Sequence, residues 1–189
     1  MKLRFLLSLL LAGVQLGVPA YMIYVQETAL RIGRVFKFLT APVDPYDAFR
    51  GRYVALSFDA HTAPASGEID RGTKLWAVLT EDAQGFAKID HVSREKISGN
   101  NVVPVTADWS NGTDTVNVSW PFDRYYLEES AAPRAETVYR ENSRRGEQKA
   151  YVTVRVHRGT AAIQELFIDG KPIRDYLREN PPAPDTPSP

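Results

Sequence analysis

Hydrophobic and polar positions follow three different patterns along this chain. From Phe5 to Tyr24 there is no charged residue. A helix of that length is about 30 Å long, the thickness of a bilayer's hydrocarbon core. Beyond it, short alternating stretches are separated by Gly, Pro, Asn and Asp. That is the pattern of half-buried strands joined by turns. After Asn180 the chain reads Pro-Pro-Ala-Pro-Asp-Thr-Pro-Ser-Pro. Proline fixes φ and removes donors, so an extended, solvated tail is expected.

The alternation predicts particular elements. Ile32 to Leu39 reads as a first strand, entered from a helix that continues the apolar run. Ala41-Pro42-Val43-Asp44-Pro45 breaks it, and Asp47 is placed to cap a single turn through Ala48-Phe49-Arg50. Gly51 then permits a sharp turn into a strand from Tyr53 to Phe58. Val54, Leu56 and Phe58 would share one face; Tyr53, Ala55 and Ser57 would share the other.

Lys74 to Thr80 and Phe86 to Val92 form a predicted hairpin. A second joins Val102–Trp109 to Thr115–Trp120 around Asn111-Gly112, and a third joins Lys149–His157 to Ala161–Ile168 around Arg158-Gly159. Pro121 to Glu129 reads as aromatic and irregular. A helix is predicted from a Ser130 cap to Ser143, with Pro133 in its first turn, and a short one over Arg174–Glu179. The count, about eight strands, implies a mainly β (α+β) chain. The expected architecture is an N-terminal transmembrane helix, then an antiparallel sheet or partly open barrel with one decorating helix. The expected segments are a cytoplasmic start (1–4), an anchor (5–24), a β-rich domain (25–180) and a disordered Pro-rich tail (181–189).

The apolar run admits two fates. A basic start, Lys2 and Arg4, followed by an apolar stretch and Val18-Pro19-Ala20 resembles a cleaved signal peptide. Pro19 sits where a peptidase needs an extended chain, and apolar character continues through Met22, Ile23 and Val25. The run is therefore read as an uncleaved anchor inserted in a lipid bilayer. Lys2, Arg4 and the terminal amine face Arg31, Arg34 and Lys37 across it, so the charge rule nearly ties. The short basic start reads as a signal-anchor, with the C-terminal domain outside the cytoplasm.

Charge narrows the partners. Lys and Arg number 23 and Asp and Glu number 23. No segment has a basic excess of the kind that grips nucleic acid, so no nucleic-acid partner is expected. The chain has no cysteine, which leaves the redox compartment open.

Two stretches carry a resemblance. Pro42-Val43-Asp44-Pro45 followed by Phe49-Arg50-Gly51-Arg52-Tyr53-Val54-Ala55-Leu56-Ser57-Phe58 is similar to the signature of the GDYXXLXY proteins. The match holds at Gly51, Tyr53 and Leu56; Arg52 stands where the family has Asp, and Phe58 where it has Tyr. Arg124-Tyr125-Tyr126-Leu127-Glu128-Glu129 resembles the family's aromatic-then-Glu segment, and the last hairpin, through Ile173, resembles its closing strands. The resemblance implies an uncharacterised bacterial, membrane-anchored envelope protein, often encoded beside a multi-pass membrane protein. It implies no established catalytic residues, and no cofactor is expected.

Candidate chemistry is sparse. The Gly51 turn also looks like part of signal-peptidase-type serine proteases, which need a serine shortly before the glycine and a lysine base. No serine lies between Tyr24 and Gly51; Ser57 follows the turn, and Lys74 has no evident nucleophile to serve. His61, His91 and His157 lack the close spacing of metal ligands. Asp44 and Asp47 read as a loop brace and a helix cap. Asn111 and Asn117 match glycosylation sequons but read as turn and strand residues. Trp120, Phe122, Tyr125 and Tyr126 read as packing for a β core, with a ligand groove or a membrane contact as alternatives.

The expected function is thus a non-enzymatic binding or accessory domain, single-pass in a bacterial inner membrane. Its partner is expected to be a multi-pass membrane protein or an envelope component. Asp44, Asp47, Arg50, Gly51, Arg52, Tyr53, Tyr125, Tyr126 and Glu128 are the expected interaction surface. The alternatives are a signal-peptidase-like hydrolase or its degenerate relative, and a cleaved, secreted ligand binder.

Overall fold

A computed structural model describes residues 2–41, 53–65, 67–111, 114–143 and 149–181. The helix α1 (Lys2–Ile32) contains the apolar run and continues past it. Its segment Leu7–Ile32 is long and apolar enough to cross a membrane. Ser8 and Thr28 donate their hydroxyls to the carbonyls of Arg4 and Tyr24, at 3.0 and 2.7 Å. This spares the helix unpaired hydroxyls. Pro19 lies inside the helix, as membrane helices tolerate. Glu27 and Arg31 pair at 3.0 Å with both side chains at least half exposed. They are the first two charged residues after the apolar run.

Strands follow in chain order: β1 (Arg34–Ala41), β2 (Tyr53–Ala55), β3 (Ser57–Phe58), β4 (Thr62–Pro64), β5 (Lys74–Glu81) and β6 (Ala87–Ser93). Then come β7 (Val102–Asn111), β8 (Thr115–Ser119), β9 (Arg124–Tyr126) and the helix α2 (Ala132–Asn142). The chain continues through β10 (Ala150–His157), β11 (Thr160–Ile168), β12 (Lys171–Pro172) and α3 (Ile173–Glu179). They build a five-stranded sheet ordered β12-β11-β10-β1-β3, a second ordered β4-β8-β7-β5-β6, and a two-stranded ribbon, β2-β9. The strands pair antiparallel, and among the described residues no barrel closes.

The expected hairpins are present. Arg158-Gly159 and Asp169-Gly170 both have positive φ at each position, the geometry of a tight two-residue hairpin turn. Alternation also predicted the faces. Val54, Leu56 and Phe58 are buried; Tyr53, Ala55 and Ser57 are half-buried. Between the sheets, Phe38 meets Phe58, Trp120 and Phe122 edge-on, with centroids 5.5, 5.1 and 5.3 Å away. Such pairs add roughly 0.5–1.5 kcal/mol each beyond area burial. Trp120 also donates its indole N–H to the Ala60 carbonyl at 2.7 Å. Trp120, Phe122 and Tyr125 therefore serve packing, as expected, while Tyr126 stays exposed.

Three expectations need correction. The strand Tyr53–Phe58 is divided at Leu56: β2 pairs with β9, whereas β3 pairs with β1. Leu56 donates its N–H to the Asp123 carbonyl at 2.8 Å, which holds the crossover. Pro121–Glu129 is not wholly irregular, since it contains β9. Ser130 does not cap α2; the Glu128 carbonyl accepts the N–H groups of Ala131 and Ala132 instead. Both expected helices are present: α2 packs against β2, and α3, the short helix expected over Arg174–Glu179, packs against β11. The turn around Asp47 and the Pro-rich tail from residue 182 lie outside the described residues.

A single residue, Gly33, links α1 to β1. α1 ends at Ile32 and β1 starts at Arg34. Ala29 is fully buried, and α1 packs against β10 and β11. Arg155 donates Nη1 to the Gly33 carbonyl at 3.1 Å and Nε to Gln164 at 2.8 Å.

Candidate functional site

A cavity of about 530 Å³ opens where α1 meets the domain. Three parts of the chain wall it: Gln26 from α1, the run Pro121–Tyr126 around β9, and Ala161–Glu165 from β11, with Arg174 of α3 at its edge. That volume falls within the range of small-molecule sites.

β11 reaches the cavity because its alternation is broken. Thr153 pairs with Glu165, but the next residue, Val154, pairs with Ile163. Gln164 is the extra residue of a β-bulge, which kinks the strand and re-aims its side chains. Ala162 and Leu166 stay buried, whereas Gln164 is exposed and Glu165 half-buried. The bulge reverses the alternation, so Leu166, paired with Val152, and Ala162, paired with Arg155, lie on opposite faces of the sheet.

Tyr125 and Glu165 both line the cavity. Tyr125 is 7% exposed and donates its hydroxyl to Glu165 Oε1 in a short hydrogen bond. The same oxygen accepts the Leu166 N–H at 3.1 Å. Burial pushes the Tyr125 hydroxyl well above its ordinary pKa; the hydrogen bond to Glu165 and that carboxylate's charge push the same way, and Arg174 opposes them. Tyr125 is thus a fixed proton donor across the physiological range. Tyr125→Phe should lower stability by about 1–3 kcal/mol, because it leaves a half-buried carboxylate short of a donor. Chemical denaturation of the full chain in detergent checks this; an unchanged midpoint would show the bond to be unimportant.

The rim is aromatic and cationic. Tyr53 lies opposite Tyr126 across the ribbon, with ring centroids 5.7 Å apart. The Arg124 guanidinium stands 5.1 Å from the Tyr53 ring centre and pairs with Asp123 at 3.5 Å. A hydrogen bond with Tyr126, then the Asp123 charge, raises the Arg124 pKa, so it keeps its charge.

Of the expected surface, the structure gathers Tyr53, Tyr125 and Tyr126 at this site, while Glu128 contributes its backbone to the start of α2. Asp44, Asp47, Arg50, Gly51 and Arg52 lie outside the described residues. Sequence reasoning missed Gln26, Arg124, Glu165 and Arg174. One signal was present: Gln164-Glu165 are two successive polar residues inside an alternating strand.

The histidines sit apart from the cavity. His61 Nδ1 lies 3.0 Å from the Phe58 carbonyl, His91 Nδ1 lies 2.7 Å from Asp90, and His157 is on β10. Among the described residues no three His, Asp or Glu side chains group as metal ligands would. A second groove, about 360 Å³, runs past Ser57, His61, Asp108, Ser119 and Trp120. There Ser119 donates to Asp108 at 2.6 Å.

Fold and cavity together define a β-rich domain continuous with a helix long and apolar enough to cross a membrane. The chain belongs to the GDYXXLXY family, whose model matches residues 15–166. The match starts inside α1 and ends at Leu166 in β11, so it takes in every element of the cavity except α3. No curated protein and no solved structure matches the chain.

Proposed function

We propose that this protein is a single-pass, membrane-tethered binding module of the bacterial envelope, with its domain outside the cytoplasm and no catalytic role. Its partner is a multi-pass membrane protein, met through the face formed by Tyr53, Arg124 and Tyr126. One observation carries the reading: a side chain of the membrane helix, Gln26, is itself a wall of the domain's cavity. A tether that only localised the domain would need no such wall. The non-catalytic reading rests on the missing serine before Gly51. The assignment of the domain to the outer side rests on the short basic start.

A pair of C-terminal fusion reporters tests this, one active only in the cytoplasm and one only outside it. The outer reporter is expected to be active, and the full chain is expected to resist extraction by alkaline carbonate. A freely soluble chain with its first residues intact would refute the tether.

A second reading is a secreted ligand binder cut after Ala20. The cavity favours keeping it, because a chain beginning at Tyr21 retains every lining residue. The Val18–Ala20 segment is mid-helix, which opposes peptidase access. The mass of the mature N-terminus separates the two readings.

A further inference from the structure

We propose that the cavity at the foot of the anchor binds a lipid headgroup carrying both a phosphate ester and a primary amine, the chemistry of phosphoethanolamine. The inference rests on the anchored reading above and adds a ligand to it.

Depth comes first. The charge-free run from Phe5 ends at Gln26, one residue and about 1.5 Å of helix before the exposed, charged Glu27. The headgroup layer is roughly 5–7 Å thick on each side of the hydrocarbon. The Gln26 wall therefore stands in that layer. Exposed Tyr21 and Tyr24 on α1 are the amphipathic residues expected at such a boundary.

Charge comes second. The lining holds Arg124 and Arg174 against Asp123 and Glu165. The balance suits a zwitterion better than an anion. Arg124 and Asp123 already pair with each other. Arg174 is exposed and, among the described residues, makes no hydrogen bond or ion pair. It is the free cation for a phosphate, with the Gln26 amide as a second donor. Glu165 uses Oε1 for both its hydrogen bonds, which leaves Oε2 to accept from an ammonium. Arg174 and Glu165 line the same cavity. One small headgroup can thus meet both.

The amine is primary for a chemical reason. A quaternary ammonium cannot donate hydrogen bonds and is held instead by free aromatic faces. Here the Tyr53 ring already carries the Arg124 guanidinium. A carboxylate with a vacant oxygen is what an ammonium donor uses.

The test is lipid retention by the detergent-purified full chain, read by native mass spectrometry. The probes are phosphatidylethanolamine, phosphatidylcholine and phosphatidylglycerol at equal concentration. Retention of the ethanolamine lipid over each of the others by about fivefold or more is expected, and Arg174→Glu should cut it about tenfold, the loss of one charge-assisted contact. Arg174 is exposed, so its variant should melt like the parent. Glu165→Gln should lower the preference for ethanolamine over choline. Equal retention of all three lipids, a preference for the glycerol lipid, or no response to Arg174→Glu would overturn the proposal. Free phosphoethanolamine displacing the lipid at equal concentration would place the ligand's source in solution and overturn the lipid assignment. Carbonate extraction of the same variants reports on the tether alone. Lost selectivity with extraction resistance intact refutes the headgroup site and spares the anchored reading.

Discussion

Gly33→Ala is expected to lower the melting temperature of the full chain by roughly 5–10 °C, a cost of about 2–3 kcal/mol. The cause is steric. A Cβ on Gly33 would lie 2.4 Å from the Ala29 carbonyl oxygen and 3.1 Å from both Arg155 Cβ and the Val156 nitrogen. Two of those three atoms are backbone, so no flexible side-chain tip can swing aside. Gly33 itself donates to the Ala29 carbonyl at 2.9 Å, closing the last turn of α1 just before β1 begins. The lower entropy of the unfolded alanine chain offsets only about 0.4–1 kcal/mol. Gly13→Ala and Gly17→Ala are the controls. Both glycines sit in α1 with nothing within 4 Å of the added atom, so alanine there should be neutral or slightly favourable. A thermal melt of the three variants checks the contrast. Equal melting temperatures would mean that the join between α1 and the sheet is not close-packed. The same substitution should weaken the cavity, because Gln26 reaches it only while the end of α1 lies against β10 and β11.

Stability is also expected to fall steeply between about pH 10 and pH 12, and two tyrosines are responsible. Tyr139 is 2% exposed and donates to the Ala41 carbonyl at 3.1 Å. Burial pushes its pKa up to about 12. Tyr125 is shifted in the same direction, by burial first and then by Glu165. Below pH 10 both are protonated in either state and the folded chain loses nothing. Above pH 10 the unfolded chain releases these protons and the folded chain keeps them, so each further pH unit favours unfolding. For Tyr139 the loss reaches roughly 2–3 kcal/mol by the folded pKa, at about 1.4 kcal/mol per unit. Tyr139→Phe should cost a modest amount at neutral pH, from the lost hydrogen bond, and should flatten the alkaline decline. Denaturant midpoints measured from pH 8 to 12 for parent and variant test this. Parallel curves would show that Tyr139 ionises as freely in the folded chain as in the unfolded one.

These two expectations concern joints that local pattern does not reveal. The alternation of Val54, Leu56 and Phe58 predicted which side chains are buried, and it did so correctly across a break between two sheets. Alternation depends on the local pleat, which Leu56 preserves. Which strand pairs with which depends on partners far along the chain, so the division at Leu56 and the short β9 partner were not readable. The helix cap failed for a related reason. Ser130 has the right chemistry for a cap, but the Glu128 carbonyl already satisfies the first N–H groups of α2.

The sequence by itself determined the apolar helix, the β-rich class, the hairpin turn at Arg158-Gly159, and the family. Each is written in residues close together, through charge, period or φ preference. Only the tertiary structure decided the cavity. Gln26, Arg124, Glu165 and Arg174 come from four elements spread over 149 positions of chain. The Gln164 bulge and the contact at Gly33 bring them together. A site of this kind arises from long-range packing, and local periodicity carries no information about it.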